Sequence, residues 1–391
     1  MVGRPPAPVR AQPPRHRRRA PPRPRRIGPT GTARPPLTEL VDVGVRCVHS
    51  HGVLLDSVAA STPPRERAAL DDTAIRLLDA AVPHVPDAGP PDPRLRLLAP
   101  HVLAPLRRTA DPAAAAAALA VATRLATALH RTGDYLSAWE TVRVAATLGE
   151  RVLGPRDRLV LAAHSRTARA LFRLGRFAQA QALYHRVQAD QERLFGPDDP
   201  DTLDSCHGLQ LVLHNLGRRE EAGRLLRRTL AGRTRVLGPH HPLTLRSRSS
   251  LLATLPADEL ADEIDDATVL LRECEEHLGR HHTLTLGTRH NYARALHDLG
   301  RFDTADEHAN LVVDEYRRRF GPDHPLTLAA EHLHADILAS LGHLDPAITL
   351  MTAVLTKRET ALGADHPFTT AGLDFLNELR ERAATLRPRH D

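Results

Sequence analysis

A short phrase built on Gly-Pro-x-x-Pro returns along the chain at almost constant spacing, and it constrains the fold more than any other feature. Successive copies are 42, 42, 41, 42 and 42 residues apart. The glycines of the phrase are Gly154, Gly196, Gly238, Gly279, Gly321 and Gly363. Such a period indicates stacked supersecondary units, none of which can bury its apolar face alone. The 391 residues therefore predict a quasi-one-dimensional array.

A second glycine divides most units into two helices, A and B. The mid-unit glycines are Gly133, Gly175, Gly217, Gly300 and Gly342. Glycine supplies the left-handed residue that ends a helix, and pairs such as Asp199-Pro200 supply an N-cap followed by proline in the first turn. Apolar residues make up 41% of the chain and aromatic residues only 3%, so alanine and leucine, both helix formers, dominate. We predict an all-α solenoid.

The fourth unit and the final helix depart from the pattern. In the fourth, the stretch 255–259 replaces the expected glycine and the unit is one residue shorter. We expect a shorter helix A there and a local change in superhelix pitch. A final helix, 367–386, has no partner helix B and is predicted to cap the solenoid. The solenoid of six repeats and this cap thus spans 112–386.

The N-terminal part lies outside the repeat. Residues 1–36 carry ten arginines and no acid, and their Pro- and Arg-rich composition predicts disorder. They are either an arm for nucleic acid or an anionic surface, or a solvated tail, or sequence upstream of the true start. Residues 37–109 are predicted to form an N-terminal helical segment, with helices at about 37–60 and 65–82 and a third from about 95.

Composition argues against several classes of protein. The cysteines Cys47, Cys206 and Cys274 are scattered and form no CxxC pair, which disfavours a disulfide framework or thiolate metal site and fits a cytoplasmic location. No apolar run of membrane-spanning length and no secretory signal are found, so we expect no membrane contact. Without residues 1–36, 43 basic residues face 47 acidic ones, and the repeats are mildly acidic.

The sequence offers little for catalysis. Histidines recur at the inter-repeat turns, in the pairs 240–241 and 281–282 and at His324 and His366. They could bind a metal or titrate near neutral pH, but we favour N-cap and turn roles that recur because the unit recurs. Cys206 beside His207 lacks a third partner, and neither GxSxG nor GxxxxGK[ST] occurs. We predict no catalytic residues, no metal and no cofactor: the protein is not an enzyme.

The repeated unit resembles a known type of helical repeat. The phrase Leu-Gly-Pro-Asp-His-Pro-x-Thr-Leu followed by Leu-Gly-Arg-Phe-x-x-Ala resembles the 42-residue tetratricopeptide repeat of kinesin light chains and their bacterial relatives. That resemblance implies a right-handed solenoid whose A helices line a concave, protein-binding groove. The stretches 48–51, 64–70 and 98–103 are similar to the segment that joins NB-ARC ATPase modules to such repeats in actinobacterial signalling proteins.

The resemblance also directs attention to one row of the groove. In the kinesin-light-chain pattern an asparagine nine residues before the mid-unit glycine binds peptide backbone. That position holds Arg124, Arg166, Gly208, Ser250, Asn291 and Leu333. One and two helical turns further on, the same face carries Arg169, Arg173, Asn215, Arg294 and Asp298. Because arginine grips carboxylates in a bidentate manner, we predict an acidic or C-terminal-carboxylate peptide ligand. Alternatively, these arginines simply pair with helix acids.

Two functions remain open at this point. The first is a non-catalytic scaffold that binds a peptide or partner protein in the concave groove. The alternative is a regulatory sensor in an NB-ARC-type signalling or transcription-control system, with residues 1–36 contacting nucleic acid.

Overall fold

A computed structural model describes residues 38–42, 46–50, 61–84 and 88–386. The chain divides into two units, Met1–Ala60 and Ser61–Asp391. The predicted disorder of residues 1–36 lies outside the described residues.

The first unit contains an antiparallel β-hairpin rather than the expected helix over 37–60. Strand β1, Thr38–Asp42, pairs with β2, Arg46–Ser50, in a register that places Leu40 opposite Val48. The helix prediction was wrong for these residues. The physical reason is local, because each segment contains a β-branched valine, Val41 or Val48, and Gly44 stands between the segments in the sequence, which is a hairpin signal.

The second unit is helical throughout its described residues, as predicted. Its helices are α1 Pro64–Ala81, α2 Pro93–Arg108, α3 Pro112–Arg131, α4 Tyr135–Leu153, α5 Arg158–Arg173, α6 Phe177–Phe195, α7 Pro200–Asn215, α8 Arg219–Leu237, α9 Pro242–Leu252, α10 Ala257–Leu278, α11 Thr283–Asp298, α12 Phe302–Phe320, α13 Pro325–Ser340, α14 Leu344–Leu362 and α15 Pro367–Leu386. Helices α3 to α14 form six A–B hairpins, and α15 packs on α14 as the predicted cap.

The predicted caps recur at the boundaries between repeats. The histidines at 241, 282, 324 and 366 accept the amide hydrogen of the second following residue through the ring, so their predicted N-cap role is confirmed. Every inter-repeat glycine has a positive φ, and its amide closes the preceding helix B. Buried alanine and leucine side chains fill the space between neighbouring helices.

The shorter helix A predicted for the fourth repeat is present, whereas the predicted change in superhelix pitch stays a prediction. Its helix A, α9, has 11 residues, whereas the A helices of the second, third, fifth and sixth repeats have 16. Pro256 lies immediately before helix B, and proline biases the residue before it away from helical geometry. The helix therefore ends early, and Leu252 is its last residue.

Helix α3 is an exception to the expectation that no apolar run is long enough to cross a membrane. Its 20 residues satisfy that test by length and apolarity, with half of the most apolar window buried inside the protein. Ala118, Leu119, Leu125 and Leu129 belong to the hydrophobic core shared with the neighbouring helices. The apolar face of α3 is thus used for packing within the solenoid.

The superhelix closes on itself through a contact that we call the seam. The imidazole of His324 donates its Nε2 hydrogen to the carbonyl oxygen of Arg131 at 3.2 Å, and His366 donates to that of Arg173 at 3.1 Å. Both bonds join residues 193 positions apart, which lies between four and five 42-residue repeats. One superhelical turn therefore brings the first two repeats against the sixth and the cap.

Glycine makes the seam possible. The Pro325 ring packs against Gly133, where an added Cβ would lie 2.7 Å from the proline Cδ, and Pro367 packs still more closely against Gly175. The mid-unit turn of the third repeat has the same backbone, since Gly175 has φ +71° and Gly217 +77°, but no atom lies within 4 Å of a Cβ built at Gly217. The two glycines thus differ only in whether the seam covers them.

Replacing these two glycines separates the cost of the seam from that of the turn. Gly217→Ala should lower the free energy of unfolding by about 1–2 kcal/mol, because alanine is strained at positive φ. Gly175→Ala should lower it by roughly 1–3 kcal/mol more, because its methyl group overlaps the Pro367 ring. Urea unfolding of both variants measures the difference, and equal losses would show that the seam contributes nothing to stability.

His324 makes the helix cap at the seam sensitive to acid. Its Nδ1 accepts the Leu326 amide hydrogen, a bond that requires the neutral ring, while Nε2 donates to Arg131. Burial lowers the pKa of His324 to about 4, against an ordinary 6.5. Between these values the unfolded chain binds the extra proton, so stability is present above pH 6.5 and is lost as pH falls toward 4.

Asparagine at 324 tests this pH dependence, because it caps a helix but does not titrate. At pH 7 His324→Asn should be less stable than the wild type, since the seam hydrogen bond is lost. Toward pH 4 the wild type should lose about 3 kcal/mol that the variant retains. The two curves of unfolding free energy against pH should therefore cross; parallel curves would contradict the assigned role of the ring.

Candidate functional site

The seam turns part of the concave surface into a cavity of about 490 Å³. All six repeats line it, mainly with the last turns of α3 and α5 and the first turns of α7, α9, α11 and α13. Its polar lining is basic, with five arginines, two aspartates and two histidines. These residues are Arg131, Arg166, Arg169, Arg173, Arg246, Asp201, Asp204, His130 and His324. The cavity is the candidate site.

Asp204, on α7, is the centre of this polar lining. Its carboxylate accepts hydrogen bonds from Arg169 at 2.8 Å, from Arg246 at 2.6 Å and from Arg233 at 3.2 Å. Arg166 lies 4.0 Å from the same carboxylate. One negative charge thus faces four guanidinium groups that come from α5, α8 and α9.

The excess of arginines shifts the pKa values of Asp204 and of the arginines around it. Burial opposes ionisation of Asp204, but the charges of Arg169, Arg246 and Arg166 outweigh it and hold its pKa well below the usual value. Repulsion from Arg169, together with burial, lowers the pKa of Arg166 to about 10. Burial lowers the pKa of Arg233 to about 9. The arginines therefore stay charged at neutral pH, although they repel one another.

Arg173 extends the basic surface without an acidic partner. Its guanidinium lies 5.9 Å from the centre of the Tyr135 ring and 5.6 Å from that of Phe172, and no carboxylate of the described residues forms a salt bridge with it. Burial, followed by the charges of Arg173, Arg169, Arg166 and Arg131, holds the pKa of His130 well below its usual value. The His130 ring is therefore neutral and lies among the cavity arginines.

The structure brings together part of the predicted site. Arg166, Arg169 and Arg173 all line the cavity. Arg124 instead hydrogen bonds to the carboxylate of Asp79 at 2.7 Å, and it lines a smaller adjoining cavity with Arg166. The alternative interpretation, in which arginines pair with helix acids, therefore describes Arg124 and Arg169 but not Arg173.

The other predicted residues lie outside the cavity. Asn215 is exposed and donates to the Leu211 carbonyl of its own helix. Asn291, the position at which the family pattern places a peptide-binding amide, donates to the backbone and hydroxyl of Ser249 at 2.9 and 3.1 Å. Arg294 is exposed, and Asp298 lies 3.5 Å from the ring of His297.

Two central residues, Asp204 and Arg246, were not predicted, although the sequence contains a signal for them. They occupy the position thirteen residues before the mid-unit glycine in the third repeat and its counterpart in the fourth. The other repeats have small residues there, namely Ala120, Ala162, Gly287 and Ala329. At this position of helix A the other repeats have a small residue, so a charged residue there indicates a repeat whose side chain fills part of the groove.

No catalytic or metal-binding constellation is found in the described part of the chain. It contains no group of three His, Cys, Asp or Glu residues that could hold a metal ion. Burial raises the pKa of the Cys206 thiol to about 12 and holds that of His207 well below its usual value. The thiol is therefore protonated at neutral pH, and it is inaccessible as a nucleophile.

Fold and cavity together define a solenoid of helical hairpins with a basic interior. Comparison with known proteins agrees with this class: tetratricopeptide repeat models match residues 165–201, 202–243 and 284–360. The hairpins of the described residues 112–363 recur at the same spacing inside and outside the matched segments. The predicted recognition of this repeat is confirmed, whereas the similarity of 37–109 to NB-ARC-linked segments stays a prediction.

Solved structures with similar repeats include a putative kinesin light chain of Podosopora anserina, 21% identical, covering 62% of this chain and 95% of that one at a TM-score of 0.30. BtubC (BKLC) from P. vanneervenii is 13% identical and covers 76% and 94%, at 0.35. The TPR2AB-domain:pHSP90 complex of yeast Sti1 is 14% identical and covers 66% and 95%, at 0.23. No curated protein matches the chain.

Asp204 should be essential to the stability of the repeats around it. Asp204→Asn leaves four arginines without their shared counter-charge and should lower the free energy of unfolding by roughly 3–5 kcal/mol. Asp298→Asn, on an exposed surface, should change it by less than about 0.5 kcal/mol. Chemical denaturation of the two variants tests this, and a fully stable Asp204→Asn protein would disprove the central role of the carboxylate.

Proposed function

We propose that the protein is a non-catalytic scaffold that binds an acidic segment of a partner protein, with an anionic group of that segment inside the cavity. Arg173 carries this proposal, because its guanidinium faces the cavity without a carboxylate partner in the described residues. An arginine held in this way is poised for a charge-assisted hydrogen bond to a ligand.

The architecture supports a protein partner. Stacked helical repeats present an extended concave surface, and this one continues beyond the cavity along α11 and α13. Arg294 on α11 forms no salt bridge with a carboxylate of the described residues, although its charge favours ionisation of Asp336. The same charge contributes to lowering the pKa values of His214, His290 and His332. It therefore lies near the A helices of three repeats, where a bound segment that emerges from the cavity would run.

The size of the cavity limits what enters it. A volume of about 490 Å³ accommodates a chain end or a side chain but not a folded domain. The A helices of the first three repeats, through Ala126, Ala170 and Pro200, supply apolar wall beside the arginines. A short extended segment, rather than a protein surface, is the ligand that fits.

Binding of two labelled peptides tests the proposal on the full chain. The first is a short acidic peptide of Asp and Ser with a free C-terminal carboxylate, and the second replaces each Asp with Asn. Fluorescence anisotropy should show tighter binding of the acidic peptide, weakening as salt is raised. Arg173→Gln should weaken binding by about tenfold, because one charged hydrogen bond is lost.

Arg186→Gln is the matched control, because Arg186 is an exposed arginine on helix B of the same repeat. This variant removes the same charge outside the cavity and should bind as the wild type does. Equal affinity for the acidic and amide peptides, or equal weakening in both variants, would exclude the cavity as the binding site.

A further inference from the structure

The cavity lining carries more positive charge than a single carboxylate can neutralise. Five arginines and two aspartates line it. Asp201 is engaged from outside the cavity by Arg158 at 2.7 Å, and Asp204 is shared among Arg169, Arg246 and Arg233. Arg166 and Arg173 thus face the cavity with no carboxylate of the described residues in hydrogen-bonding contact. At least two positive charges remain uncompensated there.

Three of the cavity arginines share one helix face. Arg166, Arg169 and Arg173 are three and four residues apart on α5, so their side chains leave the same side of the helix. Arg246 adds a fourth guanidinium from α9 and is tied to Arg169 through Asp204. The repulsion that lowers the pKa of Arg166 to about 10 is consistent with this crowding.

The surroundings of the arginines add to the positive potential. The first turns of α7, α9, α11 and α13 border the cavity, and the N-terminus of a helix carries a partial positive charge. The buried Nε2 atom of His130 has no hydrogen-bond partner in the described residues. Several polar groups therefore converge on a space whose two carboxylates, Asp201 and Asp204, are already engaged by arginines.

These observations distinguish between two anions. A carboxylate carries one charge on two oxygens and would neutralise only one of the excess positive charges in the cavity. A phosphomonoester carries about 1.5 to 2 negative charges at pH 7 and three acceptor oxygens, which matches an excess of two positive charges. We infer that the cavity is a binding site for a phosphomonoester dianion, held by Arg166 and Arg173.

This inference rests on the proposed function, because it names the anionic group that enters the same cavity. The phosphate has two sources: a phosphorylated side chain of the partner segment, or a small phosphorylated compound. In both cases the chemistry at the arginines is the same, and the ester carrier lies against the apolar walls formed by Ala126, Ala170 and Leu326.

Small anions test the site without a partner. Thermal unfolding of the full chain is followed with inorganic phosphate, with phenyl phosphate and with sodium chloride at matched ionic strength, at pH 8. Both phosphates should raise the melting temperature well above the chloride value, by linkage of binding to folding. Arg173→Gln should remove most of that increase, whereas Arg186→Gln should retain it. Equal shifts with chloride, or equal losses in the two variants, would overturn the inference.

Asp204→Asn supplies a second, opposite readout. Removing the carboxylate frees further guanidinium groups for the ligand, so the destabilised variant should be stabilised by phosphate more than the wild type is. A folded variant whose increase is smaller than that of the wild type would contradict the inference.

Peptides then identify the source and separate the two proposals. A peptide with one phosphoserine is compared with its serine and glutamate forms, and the phosphoserine form should bind at least about tenfold more tightly than the glutamate form. If the glutamate form binds equally well, the phosphate inference fails and the proposed function stands. If only phenyl phosphate binds, the phosphate inference stands, the source is a small compound, and the proposed function fails.

Discussion

The contact across the seam is the constraint on which the other features depend. A stack of 42-residue hairpins has no intrinsic reason to close, since each hairpin contacts only its neighbours. Here the absence of a Cβ at Gly133 and Gly175 allows the Pro325 and Pro367 rings to approach the backbone, and two histidines donate across the gap. Closure after 193 residues converts an open groove into an enclosed one.

Enclosure changes the energetics of the arginines inside. On an open surface water would solvate Arg166, Arg169 and Arg173, and their mutual repulsion would be weak. Inside the superhelix the same charges are partly desolvated, and one carboxylate, Asp204, is the centre to which three of the surrounding arginines bind. Such an arrangement costs stability, and residues that break the rules of a well-satisfied interior are expected at functional sites.

Whether a feature of the structure could be predicted from the sequence depends on how far apart along the chain the interacting residues lie. Helix boundaries, the short α9 and the cap were predicted because caps, glycines and prolines act within one turn of chain. Three cavity arginines were predicted because helix periodicity places them on one face. The seam was not predicted, because it depends on small rotations between repeats that add up over 193 residues. No local sequence pattern indicates their total. The β-hairpin was missed because its two short runs were assigned to a helix.

Comparison of equivalent repeats explains why the cavity lies where it does. Arg169 and Arg294 occupy the same position, six residues before the mid-unit glycine. Arg169 pairs with Asp204, whereas Ala329 stands at the place of that aspartate in the repeat after Arg294, which stays exposed. The repeat geometry is the same at both places, so the substitution at one small position of helix A decides whether an arginine belongs to an interior charge cluster or to the open groove. Specialisation of this solenoid therefore resides in a few helix A positions, and the common hairpin supplies only the framework.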